Sequence, residues 1–188
     1  MAADWIGKHL TLVDTPGDSN FQADGRFIVR GLDGGVLVLS AVGGAKVGTQ
    51  LMFRSCRVNG IPVIAFVNGM DRDRADFAAC LESLKKMNAN PVEIALPIGS
   101  GPDFKGIIDL VRMRFIEFSE QPDGGRNFTE GDVPAELLEE ARMHRHAMLE
   151  SAAEFDEELL DLFVEDVEPP LELVMKALRR GTLELEIT

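Results

Sequence analysis

Three strongly apolar runs, residues 10–13 (LTLV), 35–39 (GVLVL) and 61–67 (IPVIAFV), punctuate the first half of the chain, and the residues between them carry helical periodicity. An order of strand, helix, strand, helix, strand points to a parallel sheet, because parallel neighbours need a crossover long enough to hold a helix. The runs are near-continuous in apolar residues, as strands covered by helices on both faces require. Within the crossovers, Phe21, Phe27, Ile28 and Leu32 share one stripe, and Leu51, Met52 and Cys56, with Phe53 and Val58 beside them, form a second. A third amphipathic helix is expected over 76–87, with Asp76 as N-cap and Phe77, Cys80, Leu81, Leu84 and Met87 as its apolar series. The expectation is a doubly wound α/β fold with a mostly parallel sheet.

In such a sheet, ligand-binding residues collect just beyond the carboxyl ends of the strands. Asp14-Thr15-Pro16-Gly17 directly follows the first run and Asn68-Gly69-Met70-Asp71 the third, so both motifs should emerge on one rim. Taken alone, Asp14 before Thr-Pro-Gly also reads as an ordinary strand-ending turn.

After Asn90-Pro91 the pattern changes. Residues 92–98 and 107–118 read as extended, separated by Gly99-Ser100-Gly101-Pro102 and ended by the turn signal of residues 121–125, which describes a small added sheet. Pro134 then suits the first turn of a long acidic helix running to about Phe163. A last helix is expected over 170–180 with Gly181 as its stop, and residues 183–187 alternate apolar with Glu like the start of a strand. These boundaries divide the chain into a core over 1–92, an acidic α+β insert over 93–168, and a return helix and strand over 169–188.

The formal charge of −13 is concentrated in the second half: residues 1–92 hold ten Lys/Arg against nine Asp/Glu, and residues 93–188 hold nine against twenty-three. A surface of that sign repels phosphate backbones, which argues against direct nucleic-acid contact by the acidic half. It suits a basic or amphipathic protein partner, or simply solvated helix faces. No apolar run approaches the roughly 18 to 20 residues of a membrane span, and the amino terminus lacks the basic and apolar regions of a secretory signal, so a soluble, cytoplasmic protein is expected. Cys56 and Cys80 have no CxxC partner and read as buried, reduced thiols. His144 and His146, two apart on a helix, point to different faces and do not form a metal pair.

Five stretches carry a resemblance to a known family: Trp5 with residues 10–17 (LTLVDTPG), residues 34–44 (GGVLVLSAVGG), residues 66–72 (FVNGMDR), residues 104–110 (FKGIIDL) and residues 149–153 (LESAA). In this order and spacing they resemble the GTP-binding domain of translational GTPases of the elongation factor G type, including the insert that domain carries. The resemblance implies a P-loop GTPase-like fold, GTP/GDP and Mg²⁺ as ligands, and the ribosome and its stalk protein as partners. It further implies that Asp14 holds a water of the Mg²⁺ shell, consistent with the preference of Mg²⁺ for few carboxylates and retained waters. Thr15, Pro16 and Gly17 would form the second-switch turn, with the Gly17 backbone N–H facing the γ-phosphate. Asn68, Met70 and Asp71 would form the guanine pocket, Asp71 accepting two hydrogen bonds from the base.

Two positions depart from the family pattern. Asp18 stands where the family has a water-positioning histidine; its charge opposes that gathering on the phosphoryl oxygens, so slower hydrolysis is implied. Gly69 stands where the family has a lysine whose stem covers the base; guanine affinity should fall by roughly 1 to 3 kcal/mol, and in a full-length parent Gly69→Lys should tighten GDP binding. No GxxxxGK[ST] loop occurs in the chain, and Gly43-Gly44-Ala45-Lys46-Val47-Gly48 lacks its spacing and closing pair. Two readings follow: a truncated piece of an elongation factor G-like GTPase, inactive by itself, or a non-catalytic GTPase-like module that binds protein through its acidic insert.

Overall fold

The computed structural model describes residues 1–14, 28–118 and 127–188. Strands β1 (Ala2–Trp5) and β2 (Lys8–Thr11) form an antiparallel hairpin, with Met1 and Leu12 exchanging backbone hydrogen bonds at its open end. Next come β3 (Gly35–Ser40), α1 (Val47–Val58), β4 (Val63–Asn68) and α2 (Phe77–Lys85). β3 and β4 pair in parallel, Ser40 opposite Asn68, with α1 as the crossover. The expected βαβ unit and third helix are therefore present, and Asp76 caps α2 by accepting from the Ala79 N–H at 2.8 Å.

The first apolar run departs from expectation. β2 is hydrogen-bonded to β1 and not to β3, and every residue from Met1 to Asp14 is exposed. Among the described residues, helices α1 and α2 cover the parallel pair on one face only. Leu37, Leu39, Val63 and Ala65 pack in a cluster with Val29, Phe53, Cys56 and Leu84, whereas the alternate residues Val36, Val38, Ile64 and Phe66 are each more than half exposed. Strands alternate their side chains between faces, and α1 and α2 supply residues to one side alone. Of the first crossover helix, whose stripe runs from Phe21 to Leu32, residues 21–27 lie outside the described residues, while Ile28 and Val29 are helical.

The second half forms an antiparallel sheet in the order β5 (Ala95–Ile98), β6 (Gly106–Asp109), β7 (Arg114–Phe118), β8 (Phe128–Asp132). The segment read as one extended run over 107–118 is two strands. Its turn is made by Asp109, whose carboxylate accepts from the N–H groups of Val111 (2.9 Å) and Arg112 (3.0 Å), with Met113 at φ +52°. β8 has no counterpart in the sequence reading.

The long acidic helix is likewise two, α3 (Leu138–Ala153) and α4 (Glu157–Val164), preceded by a 3₁₀ turn at Ala135–Leu137. Asp156 breaks it by capping α4, accepting from Glu158 and Leu159. The last helix, α5 (Leu171–Leu183), runs through Gly181 instead of stopping there. Gly181 serves packing: a Cβ at this position would lie 2.7 Å from the Phe155 ring and 3.0 Å from Ile187. Residues 184–188 form no strand; Leu185 adopts φ +65° and the chain turns back over the helix end.

A second cluster joins Leu96, Ile108 and Leu110 of the sheet region to Met148, Ala152 and Leu159 of α3 and α4 and to Val174 and Ala177 of α5. Arg145, buried in α3, donates to the carbonyls of Leu110 and Val111 and pairs with Glu168. Thr188 donates to the Asn90 carbonyl (2.9 Å) and accepts from Val92 (3.1 Å), so the last residue returns to the segment that leads into the antiparallel sheet.

Candidate functional site

The carboxyl ends of β3 and β4 carry two loops that hold each other. The Asn68 carbonyl accepts from Ala41 (2.9 Å), and the Ala41 carbonyl accepts from Asp76 (2.9 Å), so the loop after β4 is stitched to the loop after β3 at both ends. Beneath them, the Cys80 thiol donates to the Ser40 carbonyl at 3.4 Å, and the Ser83 hydroxyl accepts from Ala45 at 3.0 Å. Burial pushes the Cys80 thiol above its ordinary pKa, partly offset by the Gly44 N–H, which keeps it an inert packing group. Cys56 is buried and raised for the same reason.

Between these anchors runs Asn68-Gly69-Met70-Asp71. Gly69 adopts φ +82°, a conformation in which glycine alone avoids a steric penalty, and Arg72 closes a turn by donating to its carbonyl (3.2 Å). The turn sends Met70 inward, where it is 8% exposed, and leaves Asn68 and Asp71 exposed at the rim. Neither side chain forms a hydrogen bond or ion pair among the described residues, so an amide and a carboxylate stand uncommitted, three positions apart on one turn. That donor and acceptor set matches the polar edge of a purine carrying adjacent ring N–H and amino groups.

The Met70 carbonyl accepts from the Gly101 N–H at 2.7 Å. Gly101 is buried at φ +59°, and a Cβ on it would lie 3.5 Å from the Arg72 carbonyl. Sequence pattern identifies residues 99–102 only as a turn; the pair of glycines, Gly99 and Gly101, both at positive φ, is the signal that this turn makes a close backbone approach.

Asp14 is exposed just beyond the hairpin, and Thr15, Pro16, Gly17 and Asp18 lie outside the described residues. The structure thus brings Asn68, Met70 and Asp71 together and does not hydrogen-bond the hairpin preceding Asp14 to their sheet. Among the described residues no group of three or more His, Cys, Asp or Glu gathers to hold a metal, and no helix is long and apolar enough to cross a membrane. His144 pairs with Glu93 at 2.9 Å while His146 lies against Phe163, which agrees with their divergent faces. A groove of about 470 Å³ opens at the other end of the parallel pair, between Val36 and Ile64 and the α5 residues Met175 and Leu183.

Residues 1–169 match the family model described as the elongation factor Tu GTP binding domain. The chain belongs to this family of translational GTPases. Within the family, it is 39% identical over 181 residues to elongation factor G of Thermotoga maritima, and 38% identical over 181 residues to elongation factor G of Wolbachia pipientis subsp. Culex pipiens. Each match takes in 96% of this chain and 26% of the relative, so the chain spans about a quarter of the length of these relatives. A crystal structure of a Thermus thermophilus protein superimposes with a TM-score of 0.84 at 26% identity, covering 99% of this chain and 27% of that one. The α/β GTPase-domain architecture expected for the family is therefore that of this chain.

Proposed function

We propose that this chain is the guanine-recognising part of an elongation factor G-like GTPase, which hydrolyses GTP to drive ribosomal translocation in the cytoplasm, and that the chain is inactive by itself. The single observation that carries the reading is the rim loop, in which Asn68 and Asp71 stand exposed and uncommitted on a turn anchored by Ala41, Asp76 and Gly101. Asp71 accepts from the ring N–H and amino group of guanine, and Asn68 braces the pocket. Adenine is rejected because it would leave the polar groups of that pair unmatched.

Asp14 is the proposed carboxylate behind a water of the Mg²⁺ shell, with Thr15, Pro16 and Gly17 at the γ-phosphate and Asp18 in place of the water-positioning residue. A lone carboxylate suits Mg²⁺, which takes most of its shell from water and nucleotide phosphates. When bound, the ion would neutralise charge on those phosphates; the protein's part is to present the carboxylate and the base pocket.

The reading takes residues 1–92 as the nucleotide-binding part, 93–168 as an inserted acidic subdomain and 169–188 as the return. The hydrogen bonds of Thr188 to Asn90 and Val92 support it, since they tie the end of the return segment to the end of the nucleotide-binding part. The acidic insert is the proposed contact for the ribosomal stalk protein, its charge supporting a protein partner over nucleic acid.

Titration of the purified chain with GDP, GTP and ADP in Mg²⁺ tests this directly. Saturable binding of GDP and GTP without ADP is expected. A folded chain that binds GDP and ADP alike, or neither, overturns the reading.

A further inference from the structure

Position 69 has no side chain, and the Arg72 stem lies close to where one would begin. A Cβ on Gly69 would lie 3.2 Å from Cδ, 3.3 Å from Nε and 3.6 Å from Cγ of Arg72. The stem of Arg72 therefore lies against the face of the loop from which a residue at position 69 would project. The turn enforces this placement, because Arg72 donates its N–H to the Gly69 carbonyl and its backbone is backed by Gly101. Its guanidinium forms no ion pair among the described residues, although Asp71 and Asp73 flank it in sequence. An exposed, planar cation with no partner among those residues thus stands on the loop that presents Asn68 and Asp71.

We infer that Arg72 covers the face of the guanine base, its stem packed on Gly69 and its guanidinium stacked on the ring that Asn68 and Asp71 grip by the edge. An arginine is suited to this work: it is planar, weakly hydrated, and stacks on aromatic faces as well as attracting them by charge. Glycine at 69 favours it, since a Cβ there would crowd the Arg72 stem and make it give by a few tenths of an ångström. The inference rests on the guanine-binding reading above and adds to it the residue that holds the ring from one side.

The test is equilibrium binding of GDP and of guanosine to the full chain and to Arg72→Ala, Arg72→Lys and Asp71→Asn. Arg72→Ala should weaken GDP and guanosine by the same factor, about tenfold, with an unchanged melting temperature, as expected for loss of one stacked cation. Arg72→Lys, which keeps charge and loses the plane, should recover only part of that loss. Asp71→Asn should abolish the preference for guanine whatever Arg72 does. If GDP binds with Asp71-dependent specificity and Arg72→Ala leaves both affinities unchanged, the inference fails while the guanine reading stands. A loss seen with GDP and not with guanosine would mean that Arg72 acts on phosphate, and also overturns it. Failure of the unaltered chain to bind either ligand overturns both.

Discussion

The N–H of Gly101 donates to the Met70 carbonyl at 2.7 Å, so the turn after β5 is bonded to the loop that carries Asn68 and Asp71. This contact couples the antiparallel sheet to the candidate pocket through backbone alone. It also demands a residue that tolerates φ +59° in a buried position beside the Arg72 carbonyl.

Gly101→Ala should therefore cost about 1 to 2 kcal/mol, the penalty for placing a Cβ in the left-handed region. Urea unfolding measures the loss, and hydrogen exchange should show the Gly101 amide protected in the unaltered chain and faster exchange throughout residues 68–74 in the variant. Equal exchange in the two proteins would show that the bond does not hold the loop.

Gly69→Lys and Arg72→Ala should be non-additive, because both act on one volume. A lysine at 69 must adopt φ +82° and displace the Arg72 stem, so its gain in GDP affinity should be larger in the Arg72→Ala background than in the unaltered chain. Four GDP titrations complete the cycle, and additivity within error would place the two side chains apart.

Asp156 supplies the break between α3 and α4 and pairs with Lys176 of α5 at 2.7 Å. The Lys176 ammonium, followed by the Leu159 and Glu158 N–H groups, holds its carboxyl below the ordinary value of 3.8 against an opposing desolvation by burial. A depressed folded-state pKa means that this stabilisation is fully present above the unfolded-state value and is lost as pH falls through the folded one. Asp156→Asn keeps a capping acceptor and removes the charge that Lys176 pairs with, so it should lower stability modestly at neutral pH, and the difference from the unaltered chain should shrink below about pH 4. Paired urea melts at neutral pH and in acid below that point check both parts.

Gly181→Ala should destabilise by about 1 to 3 kcal/mol through overpacking against the Phe155 ring. Phe155→Leu in the same chain should relieve part of that cost, which thermal melts of the single and double variants would read.

The uncovered face of the parallel pair, with Val36 68% and Phe66 56% exposed, should bind a hydrophobic dye and promote self-association of the isolated chain. Phe66→Lys should reduce both without altering helix content, and dye fluorescence with light scattering decides it. Dye binding that is insensitive to residue 66 would locate the responsive surface elsewhere.

Local order was legible where the code is local. The crossover with α1, the N-cap at Asp76, the buried thiols and the strand-end position of Asn68 through Asp71 all follow from periodicity and capping chemistry in short stretches of chain. The missed elements share one cause. Asp109 and Asp156 turn the chain by accepting backbone hydrogen bonds inside segments whose apolar pattern continues across them, and pattern alone does not register the interruption. Gly181 reads as a stop by itself and becomes an interior packing position only because Phe155 lies across it.

By itself, the amino-acid sequence determined the α/β character of this chain, its family, the acidic second half and the strand-end loop carrying Asn68 and Asp71, because these rest on residue identity and short-range spacing. Only the tertiary structure decided that β2 pairs in a hairpin, that one face of the parallel pair is left uncovered, that Gly101 pins Met70 and that Arg72 fills the space above Gly69. Those outcomes depend on which distant segments meet, and the free energy of each meeting is shared between partners far apart in the chain.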